Sequence, residues 1–473
     1  MNSSLNESEG RFSRRKLLPF GVMFVLMAGL FFIVESADAQ RRQRRVGDVS
    51  ADAPGMIIKG HQAQTSSVAI AELDVSGTQG SDLKVQYAKT MKYDLEFSDY
   101  FDVLPNGAGM VNQHRKDSEL RAIDYGAWQN LDADILVKGE FTKQGKSGGI
   151  RLYAYDVFDQ KSLNALEYKV QFDSPEKMVR EIRRAIHNFV DGLVAKYDPD
   201  GIPGCAHSYV AFENLRTSSG SSIREIFIMD YDGRNIRQIT RDHELAVAPA
   251  WSPDGRKLVY TSYRQGNPDL YIYNLDSGKI RVLAAFPGMN GAASWSPDGR
   301  SLAVTLSRDG NPEIYRIGSD GSGAKRLTKS RSVETSPTWT PDGRNLFFIS
   351  DRYGGPNIYT MSAEGGPHNL VVRSGQNDDP SISPRGDRIA YTSSRGGGGF
   401  NIWAAGLDGG SPANLTSELR GNSEHPSWAP DGRHIVFANE GKVMVMDGNG
   451  SDKRILTSSD RIPGKNFSPA WGP

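Results

Sequence analysis

Two short stretches hold the residue types that acid–base chemistry requires. They are Asp378–Asp379 in VRSGQNDD and Glu424–His425 in SELRGNSEH, with Asp242, His243 and Glu244 as a third group. Paired carboxylates, or a carboxylate beside an imidazole, can donate a proton at one group and accept one at the other. A hydrolase or lyase acting on envelope glycans would need that pairing. Other motifs fail on context. GKSGG at Gly145–Gly149 matches G-x-S-x-G in letters, but a hydrolase elbow needs a strand before it and a helix after it, and here a strand follows. The same GKS lacks phosphate-loop spacing, because the required earlier glycine falls on Glu140. MDYDGRN begins like a calcium loop but lacks the later ligands and the late glutamate, so it reads as a turn. The eight histidines include no HExxH and no paired zinc spacing, and a single cysteine, Cys205, excludes an internal disulfide.

Whatever these residues do depends on the elements that hold them, and those elements repeat. Trp251, Trp295 and Trp339 recur at 44-residue steps, each followed by Ser/Thr-Pro-Asp-Gly. The series continues at Ile382, Trp428 and Trp471 with steps of 43, 46 and 43, giving five complete heads and one truncated head. The second half of the unit, as in EIFIMDYDGRNIRQIT, is also counted six times. The first tail, Glu225–Thr240, has no Trp head before it, and the last head has no tail after it. Four short strands at this period make one blade of a β-propeller. The two leftovers predict that Pro469–Trp471 completes the blade begun by SYVAFEN (Ser208–Asn214), which removes the free edges of an open array. In SPDG, Pro presets φ, Asp bonds its own backbone and Gly takes the left-handed site. Pro at 249, 337, 380, 426 and 469 cannot donate to a ladder, which suits a strand facing a channel. The six loops entering these strands differ in sequence while the blades repeat, which makes that face the expected binding surface.

Composition agrees with a turn-rich β protein: 51 Gly and 24 Pro in 473 residues. Basic and acidic residues balance at 56 each, so no net charge argues for nucleic acid. At the N-terminus, Arg14, Arg15 and Lys16 precede the apolar run Leu17–Val34, and Ala37 and Ala39 are placed for a peptidase cut between Ala39 and Gln40. This predicts a signal peptide over 1–39 and export across the inner membrane, with SRRKLL resembling a twin-arginine signal and RRQRR standing just past the cut. Residues 40–65 read as a flexible mature N-terminus. Residues 66–200 read as a small α/β N-terminal domain and 205–473 as a six-bladed β-propeller closed by the C-terminal strand. In the α/β part, VAIAELDVSG and FDVLP read as strands, SDLKVQYAKTMKYDLEFSD and DYGAWQNLDA as helical. DILVKGEFTK, IRLYAYDVFD and EYKVQF read as further strands. A long helix starts after Ser174 as N-cap, with Pro175 in its first turn. DPDGIPG (Asp198–Gly204) reads as a linker.

DLEFSDYFDVLP, LDADILVKGEFT and above all FPGMNGAASWSPDGRSLAVTLSRDGNPEIY resemble the TolB family, periplasmic propellers of the Tol-Pal system, over nearly all of the mature chain. The resemblance implies a monomeric, non-enzymatic scaffold in the periplasm, without a cofactor. It would bind the lipoprotein Pal at the propeller mouth and TolA through the mature N-terminus, serving outer-membrane integrity and invagination at division. Family positions that touch Pal correspond to Met289, Asn290, Gly291, Ala292 and Thr335, and Glu334, Asp379 and His425 share that face. The family usually has His where Met289 stands, and a thioether cannot replace an imidazole donor. The TolA segment would include Met56, Ile57 and Ile58 in GMIIKGHQ, a loose match to the family's start. A calcium ion held in the channel by carbonyls and carboxylates is a further option, structural rather than catalytic.

Overall fold

The computed structural model describes residues 65–473 apart from 77–80, 108, 110, 114–122 and 219–220. The signal segment, the Ala39–Gln40 cleavage position and Met56–Ile58 lie outside the described residues. Among the described residues no helix is long and apolar enough to cross a membrane.

The first unit is a mixed sheet with two helices packed on it. VAIAELDVSG forms two strands rather than the single expected one, β1 (Ser66–Ile70) and β2 (Asp74–Ser76). Helix α1 (Ser81–Phe97) follows, then β3 (Phe101–Val103) and the short α2 (Tyr125–Gln129), capped by the Asp124 carboxylate accepting from Ala127 N at 3.1 Å. Next come β4 (Ile135–Gln144), β5 (Ser147–Asp156) and β6 (Lys161–Gln171). The sheet order is β3-β1-β4-β5-β6, with β2 also on β4; β1 runs parallel to β3 and β4, while β4, β5 and β6 are antiparallel. Helix α3 (Pro175–Tyr197) begins as its sequence requires: Ser174 Oγ accepts from Lys177 N at 3.2 Å. Leu83, Tyr87, Met91 and Leu95, four residues apart on α1, meet Ile182, Ile186, Phe189 and Leu193 of α3 in one core. Burying each such large apolar side chain contributes about 1.5–3 kcal/mol. Gly139 of β4 lets this core close, since a Cβ there would stand 2.9 Å from Leu73 and 3.1 Å from Tyr87.

Six four-stranded antiparallel sheets follow. Their inner strands are Ala246–Trp251, Asn290–Trp295, Glu334–Trp339, Asn377–Ile382, Ser423–Trp428 and Lys465–Trp471. Each inner strand contacts the next, and the last contacts the first, so the sheets form a ring. Closure is as the unpaired head and tail require: Trp471 faces Val210 and Ala470 faces Ala211 in an antiparallel ladder with Tyr209–Ser218. The chain end then lies on the next blade, where a Cβ on Gly472 would come within 2.6 Å of the Trp251 ring. The tryptophans are buried between blades, and Trp251 Nε1 and Trp339 Nε1 donate across blade boundaries to Ala470 O (3.1 Å) and Ser294 O (3.2 Å). The SPDG turn is built the same way each time. Asp254, Asp298 and Asp342 each accept from the backbone N–H two residues on, at 3.0 Å, and from the preceding Ser or Thr hydroxyl. At Asp298 and Asp342 those bonds hold the carboxyl below its ordinary range.

The two units meet through aromatic and charged side chains. Phe97, at the end of α1, enters a propeller cluster, 5.0 Å from the Tyr231 ring and stacked 4.2 Å from the His434 ring. Beside it Asp94 accepts from Tyr231 Oη and pairs with His187 Nδ1 at 2.6 Å, and Arg183 binds Asp232 at 2.8 Å, all buried at the boundary. The segment expected to be a linker is clamped: Asp198 accepts from Asp200 N, Ile202 N and Tyr100 Oη and binds Arg385, while Asp191 holds Ala206 N and His207 N.

Candidate functional site

Every inner strand carries one irregularity at the same place. The ladder register shifts between Val247 and Ala250, Gly291 and Ser294, Thr335 and Thr338, Asp378 and Ser381, Glu424 and Ser427, and Phe467 and Ala470. At each shift one non-glycine residue takes positive φ: Ala248 (52°), Ala292 (45°), Ser336 (51°), Asp379 (50°), His425 (56°) and Ser468 (44°). A β-bulge with a residue in the left-handed region costs backbone energy and re-aims the side chain, and such strain concentrates at functional sites. All six residues line one cavity of ≈ 390 Å³ at the channel mouth. The ring is therefore six equivalent backbone positions carrying six different surfaces.

Of the eight residues expected on this face, Met289, Gly291, Ala292, Thr335, Asp379 and His425 do line the cavity. Asn290 and Glu334 do not. Asn290 is fully buried, its Nδ2 donating to Phe286 O at 2.7 Å and Pro268 O at 3.1 Å. Glu334 is equally buried, bound to Arg352 at 2.9 Å and to Ser350 Oγ at 3.0 Å. Both begin their strands, before the bulge, and face away from the cavity, where they hold the segments that present Met289 and Thr335. Sequence reading left Ala248, Ser336 and Ser468 out of the binding set, although each precedes or stands in for the residue before a channel proline.

The charged sector is local. Asp378, Asp379 and His425 sit in the mouth, with His425 Nε2 3.5 Å from Asp379 Oδ2. Water reaches these groups, but channel walls crowd them. Removal from bulk solvent, with Asp379 as a like charge, pushes Asp378 up to about 7. Burial works against a charged His425, yet Asp379, Glu424, Glu213 and Asp378 together raise it. Carboxylates beside an imidazole suit a hydrogen-bonding patch, and Asp378 and Asp379 are the carboxylates with which the channel could hold a calcium ion. Asp242, by contrast, is tied to Ser262 Oγ (2.9 Å) and Arg264 (3.6 Å) on the blade and does not join the mouth. GKSGG spans the turn between β4 and β5 and has no helix after it.

Comparisons with known proteins agree with this architecture. The TolB beta propeller domain matches residues 200–473 and the TolB amino-terminal domain matches 56–163. A Tol-Pal system protein TolB from Desulfosudis oleivorans is 34% identical over 176 residues, 37% of this chain and 37% of the relative. One from Syntrophus aciditrophicus is 32% identical over 210 residues, 44% of each. The chain thus spans less than half the length of the curated relatives it matches. The crystal structure of TolB from Acinetobacter baumannii superposes with a TM-score of 0.70 at 26% identity, covering 87% of this chain and 97% of that one. Both domains in this order, with the propeller match running to the last residue, place the chain in the TolB family.

Proposed function

We propose that this chain is a non-enzymatic scaffold of the Tol-Pal system in the periplasm, and that its propeller mouth grips the lipoprotein Pal. The observation that carries this reading is the ring of six bulged, positive-φ residues around one open cavity. Strain repeated in every blade presents backbone and small side chains, Gly291, Ala292 and Ser336 among them, to a polypeptide. A rigid ring of this kind supplies a preorganised surface at little ordering cost. The negative sector at Asp378 and Asp379 would take basic or amide donors from the partner. TolA would engage the mature N-terminus through Met56, Ile57 and Ile58, and the pair of contacts would serve outer-membrane integrity and invagination at division.

The full chain is expected to co-purify with Pal from an envelope extract. Ala292→Asp or Thr335→Arg should abolish capture while leaving the far-UV spectrum and unfolding midpoint in place; retention of Pal by both variants would remove the mouth from the interface. Deleting 40–65 should remove TolA and leave Pal bound. The proximity of Asp379 to His425 keeps a glycan hydrolase or lyase in view. Turnover of an envelope glycan that disappears in Asp379→Ala would replace the scaffold reading with the enzymatic one.

A further inference from the structure

His434 begins the strand His434–Asn439, and Asp447 ends the strand Lys442–Asp447; the two stand directly opposite each other in the ladder. The third member comes from the other domain. Asp99, one residue past the Ser98 that follows α1, adopts φ 62° and points its carboxylate at the same place. His434 Nε2 is 3.6 Å from Asp99 Oδ2 and 4.0 Å from Asp447 Oδ1, and all three donor atoms lie within 4.8 Å of one another. Those distances are too long for hydrogen bonds. They match donor atoms that each stand roughly 2.0–2.2 Å from one shared ion.

The second observation lies behind the imidazole. Asp431 holds His434 Nδ1 at 2.6 Å, and Phe97 stacks on the ring at 4.2 Å and 19°. His434 is 1% exposed, so tautomer and ring plane are both set by its surroundings. With Nδ1–H donating to Asp431, Nε2 faces two carboxylate oxygens, an arrangement that calls for positive charge between them, either a proton on Nε2 or a metal ion in its place. A carboxylate behind an imidazole whose far nitrogen meets further donors is the pattern that orients metal-ligating histidines. The guanidinium of Arg433 is close by: it lies over the Tyr100 ring at 4.5 Å and is 3.8 Å from Asp198 and 3.6 Å from Asp431, without a hydrogen-bond partner. Asp99 is about half exposed, which leaves a path from solvent and a position for water on the ion.

We infer that Asp99, His434 and Asp447 form a divalent-metal site, best suited to Zn²⁺, that ties the N-terminal domain to the propeller. One imidazole nitrogen and two carboxylates, with Asp431 behind, fit zinc with water completing its shell. Because one ligand belongs to α1's end and two to a blade, the ion would stiffen the boundary. The site is independent of the mouth, and its failure leaves the proposed function untouched.

The test is calorimetric titration of the untagged full chain with Zn²⁺, repeated with Co²⁺ read by visible absorption. Binding of one ion is expected, with cobalt bands that lack a thiolate charge-transfer component, and with a zinc-dependent rise in the unfolding midpoint. Asp99→Asn, which tolerates the left-handed backbone, and Asp447→Asn should each weaken binding by about tenfold or more and remove that rise. These two variants sit at the edge of the boundary, so the result does not depend on a buried substitution at His434. Undiminished binding in both variants would overturn the site. Loss of binding only in Cys205→Ser, with a thiolate band, would move the ion to Cys205, Asp431 and His434 and also overturn it. Absence of any binding at micromolar Zn²⁺ would leave an ordinary protonated ion pair in its place.

Discussion

The channel mouth and the domain boundary use opposite strategies. The mouth is made of one backbone device repeated six times, and each copy is free to carry a different side chain: Ala292, Asp379 and His425 occupy equivalent positions. The boundary repeats nothing. It is held by single, buried, charged contacts such as Arg183–Asp232 and Asp94–His187, and by Phe97 pushed into a propeller cluster. A repeated backbone tolerates variation because no one side chain supports it. A unique buried charge does not, because removing its partner leaves the other charge without solvent or counter-charge.

The largest test of the contrast is Trp471→Ala, since this residue serves both regions. It closes the ring opposite Val210, donates to Ser208 Oγ at 2.7 Å and packs near Phe97 and His434. A loss of about 3–5 kcal/mol is expected in denaturant unfolding, and a loss below half of that would mean the ring does not depend on its closing strand. Arg183→Met comes next. It removes the buried cation from Asp232, which keeps Arg234 at 3.4 Å, and from Asp230, which keeps Asn235, and the full chain should lose about 3 kcal/mol. Limited proteolysis should then cut near 199–204 while the propeller fragment persists.

The boundary should respond to pH, as should the mouth, where Asp378 and His425 are raised too. Burial disfavours a charged His187, but Asp94 outweighs it and raises His187 overall, while burial raises Asp94 itself. Groups raised on folding stabilise most below their unfolded values, so the His187 contribution is full below about pH 6.5 and is lost as pH climbs through the folded value. Unfolding midpoints should therefore fall on moving from mildly acidic to alkaline buffer, and His187→Gln should flatten that slope. The smallest effect belongs to the mouth. Ser336→Gly relieves a left-handed non-glycine residue and should stabilise the chain by ~1 kcal/mol or less, read as a small rise in melting temperature. Destabilisation there would show that the Ser336 hydroxyl, 3.4 Å from Asp378, matters more than the strain.

How much of this was legible in the sequence differs between the same two regions. The blades were readable because each SPDG turn encodes its own geometry within four residues, and the unpaired head and tail then required the closing ladder that Trp471 makes. The mouth was readable only by loop. Placing Asn290 and Glu334 on the binding face missed the strand alternation: each precedes the bulge and faces away from the cavity, while the next residue, Gly291 or Thr335, lines it, and the bulge then adds Ala292 and Ser336. VAIAELDVSG read as one strand because its apolar pattern is continuous, yet it splits at 71–73 into two strands that pair with different stretches of β4. The boundary was not readable at all, since nothing in the local surroundings of Asp94, Asp99, His187 or His434 marks them as neighbours.

By itself the sequence determined the number of blades, their turns and the joining of the two ends, because those rest on contacts within a few residues and on a period that can be counted. Only the tertiary structure decided which mouth residues face the cavity and which charges are buried between the domains. Bulges and domain packing bring together atoms whose separation along the chain carries no information about their separation in space.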